Sequence, residues 1–262
     1  MLDDTKFLQL GEVEIEYKYL PGSSNRGDLP ALVFLHEGLG SVELWRKFPE
    51  QLHSELGEYP LLVYSRPGYG RSTPIEDERA IDYMHDEAQV VLPAVLDKLG
   101  ICDPILIGHS DGASIALIHA GSGGAVSSLV LIAPHVFVEK QSVAGIEAAR
   151  QAYLSSDLPK KLARYHRDVD STFWGWNKVW LSEQFGNWNI EEYLPNIKSP
   201  ILLIQGDQDE YGTLAQIESI SAQVKGEVET LIVPGGHHSP HLESPSQVID
   251  KIVGFLRNHL TN

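Results

Sequence analysis

Five positions in this chain set a reactive side chain where chemistry could use it: Ser110, the acids Asp207 and Asp209, and the adjacent imidazoles His237 and His238. A serine hydroxyl is a weak nucleophile until a base takes its proton, and an imidazole base needs a carboxylate to hold its tautomer. Serine, acid and histidine follow one another here in that order. Ser110 stands in GHSDG, directly after the apolar run Ile105–Ile107 and before a helical pattern from Ala113 to Ala120. A strand-to-helix turn this tight needs small neighbours, because a side chain at 108 or 112 would collide as the serine is pushed outward. The chemistry such a set supports is acyl transfer through a serine ester. The folded chain is expected to bring the Ser110 hydroxyl within bonding reach of the imidazole. A metal set from His237, His238 and His241 with an aspartate lacks the helical spacing of a zinc protease, so no metal and no cofactor are expected.

Six short apolar runs must carry these groups: ALVFLH (31–36), LLVYS (61–65), PILIGH (104–109), LVLIA (129–133), PILLIQ (200–205) and TLIVPG (230–235). None alternates polar with apolar, the pattern of strands covered on both faces by helices. Helical periodicity fills the intervals. Met84, Ala88, Val91, Leu92, Val95, Leu96 and Leu99 repeat on one face, with Gly100 where a C-terminal cap belongs and Pro93 predicting a kink. Val248, Ile249, Ile252, Val253, Leu256 and Leu260 share a face after Pro245. The alternation predicts an α/β fold with a doubly wound, mostly parallel sheet. EVEIEYKYL does alternate, with Val13, Ile15 and Tyr17 on one side, and reads as an antiparallel edge strand.

The run at 129 and the run at 200 lie 71 residues apart, well beyond the other intervals. Residues 136–195 hold four of the five tryptophans, Trp174, Trp176, Trp180 and Trp188. This stretch is expected to be an inserted helical cap over the carboxyl edge of the sheet, with 1–135 and 196–262 forming the core. Ligands collect at the carboxyl ends of strands in such sheets. Those ends carry His36-Glu37-Gly38, Ser65-Arg66, Ser110, Asp207 with Asp209, and His237 with His238. His36 and His109 read as caps of strand ends, and His135 as a packing or surface residue. PGSSNRGDLP (21–30) is a surface loop by composition.

Bulk properties narrow the partners. The 262 residues carry 20 basic and 36 acidic side chains, a formal charge of −16, with no Lys/Arg cluster. A phosphate backbone would be repelled, so nucleic acid is not an expected partner. The single cysteine, Cys102, excludes an internal disulfide and is compatible with a reducing compartment. The start MLDDTKFLQL lacks the basic and apolar stretches of a signal peptide, and no run approaches the roughly 18 apolar residues of a membrane span. A cytoplasmic protein that does not engage membranes is expected. Oligomeric state is not legible.

With these motifs in hand, the chain resembles the α/β-hydrolase superfamily over nearly its whole length, since Ser, Asp, His is that superfamily's order. The resemblance selects among the alternatives. QGDQDE is similar to the family's acid turn G-x-x-D and points to Asp209, and GHHSPHLESP resembles G-H-x-x-x-x-E-x-P, which counted back from Glu243 points to His238. HEGLG is similar to the oxyanion loop H-G-G-P-G of proline iminopeptidases and places Gly38 at the donor position, beside the backbone N–H of Asp111. SRPGYGRS resembles D-x-P-G-x-G-x-S, with Ser65 in place of the aspartate.

The resemblance implies an esterase acting on small, uncharged carboxylic esters, with Leu39, His109, Trp174, Trp176 and Trp180 as candidate substrate contacts. Perhydrolase or lactonase turnover could share the same triad. Carbon–carbon bond hydrolases of aromatic degradation are the second reading. They usually carry tryptophan after the catalytic histidine, where Ser239 stands here, and a cap arginine, for which Arg164 and Arg167 are candidates. A non-catalytic receptor on the same fold is the third. The Asp111 carboxylate has two readings: a structural pair with a neighbour such as Arg66, or a contact to a cationic substrate, as in similar hydrolases that cleave amino-acid esters.

Overall fold

The computed structural model describes residues 5–23, 29–76 and 78–260, side chains included up to 259. Half of the 21–30 loop, residues 24–28, and the first four residues of the chain lie outside the described residues. In chain order the elements are β1 (Lys6–Leu10), β2 (Val13–Leu20), β3 (Leu32–Leu35), α1 (Phe48–Glu55), β4 (Leu61–Tyr64), α2 (Tyr83–Asp86), α3 (Leu92–Leu99), β5 (Ile105–His109), α4 (Asp111–Gly121) and β6 (Ser128–Ile132). There follow α5 (Lys140–Ser155), α6 (Leu158–Leu162), α7 (Val169–Trp180), β7 (Ile201–Gly206), α8 (Ala215–Gln223), β8 (Val228–Val233), α9 (Pro240–Glu243) and α10 (Pro245–Leu260).

The strands form one eight-stranded sheet in the order β1-β2-β4-β3-β5-β6-β7-β8. All six apolar runs become its parallel strands, β3 to β8. Their apolar residues point alternately to two buried layers, which is why no polar alternation shows. Val33, Leu35, Leu106 and Leu129 pack with α3 and α4 on one face, while Leu32, Phe34, Ile105 and Val130 pack with α1 and α10 on the other. Each such side chain taken from water contributes about 1.5–3 kcal/mol.

One expectation needs correction. The alternating stretch at 13–20 is antiparallel, but it is not the edge. It pairs with β4 on one side and with β1 on the other, through a hairpin turned at Gly11 (φ 60°). The edge is β1, mostly exposed and too short to show a period. At Pro93, where the sequence predicts a kink, the helix is irregular rather than continuous α. The proline's missing N–H is accommodated by a π-helical turn over Glu87–Val91 between α2 and α3, and Gly100 closes α3 in the left-handed region at φ 65°.

Between β6 and β7 the chain runs through α5, α6, α7 and two short 3-10 turns. Phe173, Trp180, Phe185 and Trp188 are buried there, and Trp180, Phe185 and Trp188 pack ring against ring. These aromatic side chains continue the buried layer that Val33, Leu35, Leu106 and Leu129 form on one face of the sheet, and Ser142 and Ile146 of α5 and Trp176 and Trp180 of α7 line the same cavity as Ser110. No helix among the described residues is long and apolar enough to cross a membrane.

Candidate active site

Ser110 ends β5 and opens α4, with φ 53° and ψ −118°. A non-glycine residue there carries strain of order 1–3 kcal/mol that the surroundings must hold. They hold it by close packing. A Cβ at Gly112 would overlap the Leu35 carbonyl, and one at Gly108 would overlap the backbone of Gly112 and Ala113. The Ser110 N–H is anchored on the Ile132 carbonyl at 2.9 Å. The turn thus lifts one hydroxyl above the sheet edge.

Asp209 and His238 arrive on the loops after β7 and β8. His238 Nδ1 lies 2.9 Å from both carboxylate oxygens of Asp209. The same carboxylate accepts the N–H groups of Tyr211 (2.8 Å) and Gly212 (3.3 Å) and the Gln205 amide (2.9 Å). Burial of Asp209 favours its neutral form, but His238 and these donors outweigh it and hold the carboxyl below its ordinary range. Burial likewise works to lower the His238 pKa, and Asp209 reverses that and raises it. With Nδ1 turned to Asp209, Nε2 is the nitrogen left to the cavity. The competing residues point elsewhere: Asp207 is exposed and accepts the Gly235 N–H, and His237 is exposed with Nδ1 3.5 Å from Glu210.

Ser110 and His238 line one cavity of about 220 Å³, with Glu37, Gly38, Leu39, His109 and Asp111 among its walls. The expected bond between the two is not formed. The Ser110 hydroxyl makes no hydrogen bond among the described residues. Such contacts are commonly long without substrate and tighten when it binds.

Two backbone N–H groups in the wall, those of Gly38 and Asp111, likewise donate to no acceptor among the described residues. The orientation of the first follows from its neighbour. The Glu37 carbonyl accepts from Arg66 Nη2 (2.9 Å), His36 Nδ1 (2.7 Å) and the Gly40 N–H (3.0 Å). In a trans peptide the next N–H points the opposite way, so this clamp turns the Gly38 N–H away from Arg66. Trp176 covers Gly38 so closely that a Cβ there would overlap its indole nitrogen.

Arg66 also answers the question of the Asp111 carboxylate. That group is buried, accepts the Tyr83 hydroxyl at 2.5 Å and lies 3.8 Å from Arg66 Nη2. Burial pushes its pKa up, and Arg66 and Tyr83 restrain the rise. Arg66 therefore spans both loops that bear the free N–H groups. Ser65, standing where the resemblance has an aspartate, donates to the buried Glu16 carboxylate (2.8 Å) and accepts the Val42 N–H (2.9 Å), so β2 supplies a carboxylate to this turn.

Among the candidate contacts, Leu39, His109, Trp176 and Trp180 line the cavity. Trp174 does not. It packs on Tyr153 and Phe173 and lines a separate groove with Arg79 and Lys178, because its side of α7 faces away from the sheet. Arg164 and Arg167 are exposed, and no Lys or Arg lines the cavity among the described residues. Glu37, already placed by the sequence at a strand end where ligands collect, lines the cavity, and sequence reasoning missed His135, Ser142, Ile146, Glu210 and Tyr211 as lining residues. His135 had a signal, its place just past the carboxyl end of an apolar run; Ser142 and Ile146 depend on how α5 is rotated.

A parallel sheet flanked by helices, with a serine on a strained strand-to-helix turn and an acid–imidazole pair on the next loops, is the architecture of the α/β hydrolases. The chain belongs to the alpha/beta hydrolase family, whose model matches residues 32–251. It is 22% identical, over 91% of its length and 89% of the relative's, to a bifunctional esterase/perhydrolase of Acinetobacter calcoaceticus. Among solved structures it is similar to a putative lipase of Acinetobacter baumannii (TM-score 0.77, 19% identity, 99% of this chain and 92% of that one). A proline iminopeptidase of Mycobacterium smegmatis is similar as well (TM-score 0.75, 18% identity, 98% of each chain). At such identities the structural likeness concerns the fold alone.

Proposed function

We propose that this hydrolase cleaves small carboxylic esters through an acyl-enzyme on Ser110, with His238 as base, Asp209 as its orienting acid, and the N–H groups of Gly38 and Asp111 as the oxyanion hole. The observation that carries the reading is the shared cavity: a strained, outward serine, an imidazole held by a buried carboxylate, and two undonated N–H groups on one wall. In the first step the Ser110 oxygen bonds to the ester carbon while its proton passes to His238 Nε2, and the negative carbonyl oxygen is held by the two N–H groups. The C–O bond then breaks and the alcohol leaves with the proton from His238. A water, deprotonated by the same imidazole, attacks the acyl-enzyme and releases the acid and Ser110.

An ester suits the cavity better than the vinylogous diketone of a carbon–carbon hydrolase, whose carboxylate would meet Glu37 and Glu210 and no lining cation. The esterase activity named for the Acinetobacter relative supports the same choice. The test is covalent labelling by a fluorophosphonate together with hydrolysis of p-nitrophenyl acetate and butyrate. Labelling and turnover should both vanish in Ser110→Ala. Labelling that persists in that variant refutes the assignment, and a wild-type protein inert toward every ester favours a non-catalytic role.

A further inference from the structure

Resting on the esterase reading, we propose that the cavity selects esters bearing a protonated primary amine, held by Glu210, His135 and Ser142 on the side away from the oxyanion loop. These three meet through local packing. Gly145, one turn after Ser142 on α5, packs against the Glu210 backbone and the Tyr211 ring, and Gly212 packs against the His135 ring. His135 Nδ1 and the Ser142 hydroxyl are both buried and have no hydrogen-bond partner, yet both residues line the cavity. Native proteins seldom leave buried polar atoms unpaired unless a ligand or water completes them.

Charge decides what that ligand group is. Three carboxylates line the cavity. Asp111 is engaged by Arg66 and Tyr83, whereas Glu37 and Glu210 pair with no Lys or Arg among the described residues: Glu37 has His109 Nδ1 at 3.7 Å and its own backbone N–H, and Glu210 has His237 Nδ1 at 3.5 Å and the His238 N–H at 3.3 Å. His135 is no counter-charge, because burial lowers its pKa to about 3 and keeps the ring neutral. A carboxylate on the substrate would be repelled. A hydroxyl would complete His135 and Ser142 but leave the acidic wall uncompensated. An ammonium supplies hydrogen-bond donors and positive charge together, in a cavity lined as well by the indoles of Trp176 and Trp180. The formal charge of −16 draws such a substrate from solution. The amine site therefore lies at Glu210, His135 and Ser142, and not at the Asp111 carboxylate.

The experiment compares isosteric pairs, glycine ethyl ester with ethyl propionate and β-alanine ethyl ester with ethyl butyrate, in wild type and in Glu210→Gln and Ser142→Ala. Following each substrate across variants cancels the greater intrinsic reactivity of the ammonium esters. Glu210 also accepts the His238 N–H, so the substitution can slow every ester; the reading is the difference within each pair, and Glu210→Gln should lower kcat/KM for the ammonium ester about tenfold more than for its neutral partner. Ser142→Ala should shift that difference in the same direction. Glu210 is exposed and Ser142→Ala removes only a hydroxyl that has no partner, so both variants should melt like wild type. Equal effects on both members of a pair, or no effect on either, overturn the amine site while leaving the esterase reading intact. No turnover of any of the four by wild type overturns both.

Discussion

Replacing Asp209 by asparagine removes one charge from the site while keeping its shape. The asparagine oxygen can still accept from Tyr211 and Gly212, so the loop after β7 keeps its anchors. What is lost is the attraction between carboxylate and imidazolium at 2.9 Å. Two unit charges at that separation and an effective dielectric of ~20 interact by about 6 kcal/mol. One power of ten in rate corresponds to about 1.4 kcal/mol, so if the imidazolium forms in the transition state the substitution should lower kcat by about four powers of ten. The assay is burst and steady-state hydrolysis of p-nitrophenyl acetate, with thermal melting to show that the variant is folded. Asp207→Asn is the matched control, since that side chain is exposed and caps the turn at Gly235; it should stay within about twofold of wild type. A loss of less than tenfold in Asp209→Asn, or a larger loss in Asp207→Asn, would refute the assignment of the acid and the reasoning from the 2.9 Å pair.

Arg66→Met should strand the Asp111 carboxylate and release the Glu37 carbonyl, costing about 3–5 kcal/mol of stability and about 10²–10³ in kcat with little change in KM. Affinity for an aryl boronate, which mimics the tetrahedral intermediate, should fall in parallel, and an unchanged boronate affinity would remove Arg66 from the oxyanion loop's support. The base must be neutral to accept a proton, so activity is lost as pH falls through the raised pKa of His238; the acid limb of kcat/KM should lie above 6.5, and a midpoint below that value would count against Asp209 as its partner. Glu87, buried in the π-helical turn, has its pKa pushed up to about 7 by burial. The unfolded chain releases this proton at its ordinary lower pKa, so stability should decline between about pH 4.5 and pH 7 by ~3 kcal/mol. Glu87→Gln should flatten that decline in the melting temperature, and an identical pH profile in the two proteins would refute the burial argument.

Much of the frame was legible because it follows from local physics. Unbroken apolar runs separated by 3.6-residue periods already demand a two-sided sheet, and each run from 31–36 to 230–235 lies in a parallel strand. Gly108 and Gly112 around Ser110 announce a turn in which backbones approach closely, and that is where they sit. The edge strand was misplaced because KFLQL is five residues long, with polar Lys6 and Gln9 three apart, too short to reveal a period of two. Trp174 was grouped with Trp176 and Trp180 because composition sees a cluster, whereas only the rotation of α7 says which indoles face the sheet.

The sequence by itself determined the order of strands and helices, the serine at a strained turn, and the narrow choice of acid and imidazole on two later loops. These depend on residue type, spacing and chain order, all carried along one dimension. The tertiary structure decided what the rest of the chain does for them. It set Asp209 and not Asp207 against His238, tied Asp111 to Arg66 and Tyr83, hung the Glu37 carbonyl on Arg66 so that the Gly38 N–H is turned away from that guanidinium, and brought Glu210, His135 and Ser142 into the lining of one cavity. Most of those contacts join residues 28 to 75 positions apart, and their geometry comes from helix rotation and loop packing against the sheet, which leave no period in the sequence.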